Sequence, residues 1–184
     1  LPFFQRLWEY LVDVVTFDFG TSYQDGTLVM HKIMINFPYT LKLAVLQTVA
    51  YSVIGITLGV FSAVKQYSIG DNIIRVISIA LAAFPGFWVY MIAMLVFSLY
   101  LGWLPPSGVD GWTSYIMPVG CAAILSASSL QRLTRTTMLE AIRQDYVRTA
   151  RAKGLSEHTV IYKHVFRNTM IPLVTMMAGI LPSL

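Results

Sequence analysis

Long stretches without a charged residue constrain this chain more than any other feature of its sequence. Residues 43–64, 76–109 and 111–131 contain no Asp, Glu, Lys or Arg. An α-helix needs about 20 mostly apolar residues to cross the hydrocarbon core of a bilayer, and each of the three runs reaches that length. The sequence therefore predicts at least three membrane-spanning helices.

A fourth uncharged run follows Arg167 and extends to Leu184. It is shorter than the other three, at the lower limit for a helix that crosses a bilayer. We expect the chain to stop inside a span, and we expect further residues upstream of Leu1 because no signal-peptide pattern is present. The composition, 56% hydrophobic and 12% charged, also favours a membrane protein. The predicted spans are about 41–64, 73–101, 112–131 and 168–184.

Residues 1–40 are predicted to form an extracytoplasmic segment ahead of the membrane domain at 41–184. Apolar residues recur at helical spacing between residues 3 and 15, with charged residues among them. This pattern indicates an amphipathic helix that lies either at a membrane surface or against the helical bundle. Residues 18–26 are rich in Gly, Asp and Ser and are typical of a turn-rich connector.

Small residues and a proline predict how two of the spans pack. Gly55, Gly59 and Ala63 follow one another at four-residue intervals, which lets another helix approach closely. The first span is therefore predicted to face protein rather than lipid. Pro85 lies within the second span and removes a backbone donor there, so we expect a kink at this position.

The distribution of basic residues predicts the orientation of the chain. Three of the 13 Lys and Arg residues lie in residues 1–42 and ten lie beyond, all of them in 65–75 or 132–167. Three spans bring these two segments to the same side of the membrane. Because loops rich in Lys and Arg face the cytoplasm, that side is predicted to be cytoplasmic.

The segment between the third and fourth predicted spans, 132–167, is far longer than a turn needs. Gly154 and Ser156 stand where the end of one helix and the start of the next would be capped. The pattern predicts helix, glycine turn, helix, a rigid protrusion that suits docking in a groove of another protein. Its two apolar faces are predicted at Leu139, Ile142, Tyr146 and Ala150, and at Val160, Ile161, His164 and Val165.

The run from Asp145 to Glu157, followed by residues 164–168 and Ile171-Pro172, closely resembles the cytoplasmic loop of the dipeptide, oligopeptide and nickel branch of bacterial ABC-transporter permeases. The general loop signature of these permeases is Glu-Ala-Ala, three residues, Gly, nine residues, then Ile-x-Leu-Pro. This chain keeps its second Ala and its Gly, as Ala150 and Gly154, and departs from it as the peptide branch does. Residues 18–22, 84–88 and 102–108 resemble further elements of that branch, in the same order and spacing.

The resemblance implies an all-α polytopic membrane helical bundle with the permease fold of type I ABC importers, truncated at both ends by the loss of the first and last membrane helices. It implies a multi-pass subunit in the bacterial cytoplasmic membrane that imports short peptides by alternating access. The implied partners are a second homologous permease, two ABC ATPase subunits and an extracytoplasmic substrate-binding protein. The implied coupling loop to the ATPase consists of Arg148, Thr149, Ala150, Arg151, Ala152, Lys153, Gly154, Leu155 and Ser156.

Within that loop, Gly154 is expected to permit the tight turn, and Ala150 and Ala152 to keep the docking surface shallow. Basic side chains at Arg148, Arg151 and Lys153 are expected to contact the ATPase. Four polar residues in the spans, Gln47, Tyr51, Ser126 and Ser129, are candidates for the transport pathway. Hydrogen bonding between helices is the alternative role for such residues.

No arrangement typical of a catalytic, cofactor or metal site occurs in the sequence, so the chain is interpreted as a transporter subunit and not an enzyme. Nucleic-acid binding is disfavoured because membrane spans tether the basic loop at both of its ends. Two alternatives to peptide import stay open. One is an importer for nickel or another small solute, and the other is a membrane scaffold or sensor that transports nothing.

Overall fold

The uncharged runs form helices in the computed structural model, which describes residues 2–109 and 111–180. The chain is divided into two compact units, and the boundary lies between Lys42 and Leu43. In chain order the helices are α1 (Phe3–Val15), α2 (Val29–Val64), α3 (Ile69–Ala83), α4 (Gly86–Ala93, continued by a π-helical stretch Met94–Tyr100), α5 (Thr113–Ile142), α6 (Asp145–Ala152), α7 (Glu157–Thr159, continued by a π-helical stretch Val160–Phe166) and α8 (Arg167–Ile180).

The first unit contains α1, a connector and the beginning of α2. The predicted amphipathic helix is present as α1, and its aromatic residues are solvent-exposed in this chain, Phe4 at 79% and Trp8 at 69%. In the connector, Asp25 pairs with Lys32 at 2.7 Å. The Lys32 ammonium, helped by the hydroxyls of Ser22 and Thr27, holds the pKa of the Asp25 carboxyl below its usual range.

The helix α2 begins at Val29, whereas the sequence predicted a connector up to residue 40 and a span from about 41. Residues 29–40 are mostly apolar, so they continue the helix instead of forming a loop. Pro38 lies within α2, where one backbone donor of the helix is missing.

In the second unit, α2 packs closely against α5 through its glycines. A Cβ atom at Gly59 would lie 2.4 Å from the Thr134 Cβ, and one at Gly55 would lie 2.9 Å from the Leu130 Cβ. These positions have room for a hydrogen atom and for nothing larger. The prediction that the small-residue stripe allows a close helix contact is confirmed.

The predicted second span is bent far more sharply than a kinked helix. The axes of Ile69–Ala83 and Gly86–Tyr100 differ by 98° at the Phe84–Pro85 break. Each half is about 22 Å long at the helical rise per residue, which is less than the hydrocarbon thickness of about 30 Å. Phe84 stacks on Trp88 across the break, with ring centroids 4.9 Å apart.

By length and composition, two helices of the described chain qualify as membrane spans, Val29–Val64 and Thr113–Ile142. The bent pair makes a third if its halves form one span. The predicted fourth span corresponds to α8, which the structure describes to Ile180. Residues 181–184 of that prediction lie outside the described part of the chain.

The sequence placed the end of the third span at residue 131, but α5 continues to Ile142. Thr134 and Met138 of this continuation are fully buried. The beginning of the predicted loop 132–167 is therefore part of a long helix. Its charged residues, Arg132, Arg135 and Glu140, made this part of α5 look like a loop in the sequence.

The helix α6 is a separate element and does not continue α5. The chain breaks after Ile142, and Gln144 is the extended residue before α6. This break changes the helical register, so Val147 and Ala150 are buried while Tyr146 is exposed at 38%. The predicted face that ran from Leu139 through Tyr146 to Ala150 is wrong in this respect.

Candidate functional site: the helical turn at Gly154

The turn after α6 has the geometry that its glycine predicted. Gly154 has a φ of +75°, in the left-handed region that glycine adopts without strain. Its N–H donates to the carbonyl of Arg151 at 2.9 Å, and the N–H of Leu155 donates to the carbonyl of Ala150 at 3.4 Å. This pair of hydrogen bonds is the Schellman motif that ends many helices.

The next helix, α7, is capped at its N-terminus by the residue that precedes it. Ser156 precedes α7, and its hydroxyl accepts a hydrogen bond from the N–H of Thr159 at 3.3 Å. Across the turn, the Nε of Arg151 donates to the Oε1 of Glu157 at 2.8 Å. The turn is thus closed by a backbone motif, a helix cap and an ion pair. For an exposed segment of this size, these three contacts limit the conformations it can adopt.

The inner side of this turn packs on the ends of the long helices. A single buried cluster contains residues from α2, α5, α6 and the π-helical stretch after α7. Val147, Val160 and Val165 are fully inaccessible to solvent. The members of the cluster are Val60, Ala63, Met138, Val147, Ala150, Val160, Ile161 and Val165. The cluster therefore joins α6 to α2 and α5 by shared buried packing.

Eight of the nine predicted coupling residues lie on the exposed side of the turn. The exception is Ala150, which is only 6% exposed and belongs to the buried cluster. The prediction that Ala150 contributes to a shallow docking surface is therefore wrong. Its small side chain allows α6 to approach the long helices, and a larger side chain there would separate them. Ala152 is exposed, as predicted.

A buried ion pair beside this region was missed by the sequence analysis. Asp71, at the start of α3, is fully buried and accepts two hydrogen bonds from Arg135 of α5, at 2.8 Å and 2.9 Å. The same carboxylate accepts from the Ser62 hydroxyl and, at 3.0 Å, from the N–H of Tyr67. Asp71 thus joins the α2–α3 turn to the C-terminal part of α5.

A sequence signal for part of this arrangement was available. Ser68 and Asp71 have the three-residue spacing of a helix start, and the Ser68 hydroxyl accepts from the N–H of Asp71 at 3.2 Å. The signal identifies the beginning of α3 at Ile69, ahead of the predicted start of the span at about residue 73. The partner of the carboxylate is 64 residues away, so only the tertiary structure could identify it.

The four pathway candidates differ in burial and in hydrogen-bond partners. Tyr51 is fully buried, and its hydroxyl donates to the carbonyl of Met177 at 3.2 Å, so it joins two helices. Gln47 is 9% exposed on the same helix. Ser129 accepts a hydrogen bond from Arg132 at 3.1 Å, and Ser126 is half-buried. The hydrogen bond of Tyr51 to Met177 supports an interhelical role for Tyr51.

Within the described residues, no group of three or more His, Cys, Asp or Glu side chains is arranged to hold a metal ion. The single cysteine, Cys121, is buried in α5. The region presents an exposed basic turn supported by an apolar cluster. Arg151 and Glu157 also line a cleft of about 450 Å³ with residues of α2 and α5.

Comparison with known proteins agrees with this arrangement. A family model described as "Binding-protein-dependent transport system inner membrane component" matches residues 55–184. This range includes α3 to α8, the whole buried cluster and its exposed turn.

Two similar proteins cover nearly all of the chain. The glutathione transport system permease proteins GsiC of Escherichia coli (strain K12) and Salmonella choleraesuis (strain SC-B67) are each 38% identical to it over 176 residues. The aligned part is 96% of this chain and 58% of each relative. The chain therefore spans less than two thirds of the length of these relatives.

Proposed function

Because the chain belongs to the family of binding-protein-dependent transport system inner membrane components, we propose that it is the permease subunit of an ATP-driven importer of short peptides. Its partners in this proposal are a second homologous permease, two ATPase subunits and an extracytoplasmic binding protein. The ATPase subunits hydrolyse ATP, and this subunit provides part of the path through the membrane.

The observation that carries the proposal is the way the turn at Gly154 is supported. Its outer side exposes Arg148, Arg151 and Lys153, while its inner side belongs to the buried cluster with α2 and α5. A surface that only recruited a partner would not need this connection to the long helices. A surface that passes motion from an ATPase to the membrane helices requires it.

The geometry suggests how the motion is transmitted. When the ATPase subunits close around ATP, the turn moves with them, and α6 transfers the displacement to the ends of α2 and α5 through the buried cluster. The Asp71–Arg135 pair holds the α2–α3 turn to α5, so α3 moves in the same step. The helices then open on the opposite side and admit substrate from the binding protein, which is the cycle of alternating access.

The cargo is proposed from the relatives. The two relatives are named for glutathione transport, and glutathione is itself a short peptide. An importer for nickel or another small solute is the second candidate, since the coupling turn is independent of cargo. The residues that contact cargo are proposed among Gln47, Ser126 and Ser129, whereas Tyr51 joins two helices.

Reconstitution tests the proposal. The full-length permease, its partner permease, the ATPase subunits and the binding protein are placed together in proteoliposomes, and uptake of glutathione, a dipeptide and Ni²⁺ is measured with and without ATP. We expect ATP-dependent uptake of glutathione or the dipeptide, together with ATP hydrolysis that rises when loaded binding protein is added.

Two outcomes would contradict the proposal at different levels. If Ni²⁺ were the only substrate taken up, the proposed cargo would be wrong and the assignment as an importer would stand. ATPase subunits that bind the permease while no substrate changes their hydrolysis rate would favour the scaffold or sensor.

A further inference from the structure

A small basic cleft lies between α3 and α5, on the cytoplasmic side predicted by the distribution of Lys and Arg. Its volume is about 210 Å³, and it is lined by Arg75, Ile79, Gln131, Arg132, Arg135 and Thr136. Pockets that enclose drug-sized organic ligands have volumes of about 300–1,000 Å³. The cleft therefore suits a smaller group.

The charges in the cleft are only partly balanced. Arg135 pairs with Asp71, but among the described residues neither Arg75 nor Arg132 forms an ion pair with a carboxylate. Two positive charges are left for a ligand to neutralise. An anion of one or two negative charges is thus the ligand that this cleft favours.

Neutral groups hold these two guanidinium groups in place. Arg75 donates to the Oδ1 of Asn72 at 2.8 Å. Arg132 donates to the carbonyl of Ser78 and to the hydroxyl of Ser129, both at 3.1 Å. A guanidinium group carries five N–H donors, so each arginine keeps donors for another partner. Arginine donors in this planar arrangement match the oxygen atoms of a phosphate.

Gln131 provides a second, independent observation. Its side chain is only 1% exposed, and its Oε1 accepts a hydrogen bond from the Ser78 hydroxyl at 2.9 Å. The Nε2 group of the same side chain is buried and has no hydrogen-bond partner among the described residues. Buried donors without an acceptor are rare in folded proteins. A ligand oxygen in the cleft would provide the missing acceptor.

The cleft is also located at the depth of the lipid headgroups. Arg75 immediately precedes the uncharged run 76–109, and Arg132 immediately follows the uncharged run 111–131. These two residues mark the boundary between hydrocarbon and headgroups on the same side of the membrane. Basic pockets between membrane helices at this level bind the headgroups of anionic lipids.

We propose that the cleft formed by Arg75, Gln131 and Arg132 binds the phosphate group of an anionic phospholipid in the cytoplasmic leaflet. The bound phosphate bridges α3 and α5 beside the Asp71–Arg135 pair. A soluble phosphate compound offers the same chemistry, and the experiment separates the two sources.

The test uses the purified full-length transporter complex and measures binding of phosphatidylglycerol by native mass spectrometry. We expect Arg75→Gln to weaken binding about 10-fold, and Arg75→Gln with Arg132→Gln about 100-fold, from the loss of charge-assisted hydrogen bonds to the phosphate. Lys65→Gln is the matched control, because it removes one charge near the same boundary but outside the cleft. It should leave this binding unchanged.

Loss of the Arg132 side chain could disturb the fold, because this side chain also donates a hydrogen bond to α3. A second variant at Arg132 controls for that effect. Arg132→Lys keeps the charge and loses the planar set of donors, so we expect binding between that of the wild type and that of Arg132→Gln. Equal binding by the wild type and the double variant would overturn the proposal. An equal loss in Lys65→Gln would overturn it too, since a diffuse charge effect would then explain the binding.

Competition identifies the source of the phosphate. Inorganic phosphate and glycerol 3-phosphate are added at increasing concentration to the complex that holds phosphatidylglycerol. Retention of the lipid supports the lipid headgroup as ligand, whereas displacement at submillimolar concentration assigns the site to a soluble phosphate compound and overturns the lipid proposal. Uptake by the reconstituted transporter is measured separately, so failure of this proposal does not affect the assignment as an importer.

Discussion

At the scale of single residues, Gly154 shows how one backbone conformation organises the contact surface. Its positive φ lets the chain reverse after α6, and its N–H closes the Schellman motif with Arg151. A side chain in this conformation costs about 1–2 kcal/mol, and asparagine tolerates it better than other residues. The turn is therefore sensitive to the residue type at this position.

We expect Gly154→Pro to abolish ATP-driven uptake. The proline ring holds φ at a negative value and proline has no N–H, so the turn cannot form. Membrane insertion should be unchanged because the substitution lies outside the predicted spans. Gly154→Asn is the matched variant that should retain most of the uptake. Normal uptake by the proline variant, with the ATPase subunits still bound, would show that the turn does not couple the two.

At the scale of secondary-structure elements, the Asp71–Arg135 pair determines how α3 is attached to α5. The carboxylate accepts hydrogen bonds from Ser62, Tyr67 and Arg135, and the Arg135 side chain is 15% exposed. A buried charge whose partner is removed is strongly destabilising, whereas an exposed pair contributes little. The pair is therefore expected to be more important for stability than the exposed ion pairs of α6 and of the turn after it.

We expect Asp71→Asn to lower the free energy of unfolding by about 3 kcal/mol, the lower part of the range for breaking a buried pair, because Arg135 retains some contact with solvent. The measurement is thermal unfolding of the detergent-solubilised full-length permease. Asp145→Asn is the matched control, since Asp145 faces Arg148 at 3.6 Å with its side chain 97% exposed. It should change the stability by less than about 0.5 kcal/mol. Similar effects of the two variants would contradict this interpretation.

At the scale of the whole molecule, the buried cluster is the physical connection between the exposed turn and the membrane helices. Val147 and Val160 are fully buried where α6 and the segment after α7 contact α2 and α5. Protein interiors are close-packed, so displacement of one member moves its neighbours. A cavity in this cluster should weaken that transmission even when the outer surface is unchanged.

We expect Val147→Ala to uncouple ATP hydrolysis from uptake. The cavity should lower uptake several-fold, while the ATPase subunits remain bound and continue to hydrolyse ATP. The measurement is the ratio of substrate imported to ATP hydrolysed in proteoliposomes. Val174→Ala makes the same substitution at a side chain of α8 that is 52% exposed, and it should leave the ratio unchanged. An unchanged ratio in Val147→Ala would exclude the cluster as the route of coupling.

Local sequence patterns predicted several features well. The small-residue stripe at Gly55 and Gly59, the break at Pro85, the turn at Gly154 and the cap at Ser156 are each specified by residues near one another in the chain. Such features follow from backbone geometry and from the spacing of apolar residues, which a sequence displays directly.

Other features depend on residues that are distant in the sequence. The partner of Asp71, the inward position of Ala150 and the continuation of α5 to Ile142 are fixed by packing between elements. A charged side chain looks the same in a sequence whether it faces water or a buried partner. The 98° bend at Phe84–Pro85 also exceeds what a proline alone specifies, because its size depends on contacts made by both halves.

The sequence by itself therefore determined the class of this protein: its uncharged runs require a bilayer, and its loop 132–167 resembles the cytoplasmic loop of one branch of permeases. The structure alone decided which side of the loop is buried, and therefore how the exposed turn is attached to α2 and α5. The reason is physical. The need for lipid is a property of each helix and adds up along the chain, whereas burial of one face is decided by the neighbours that folding brings to it.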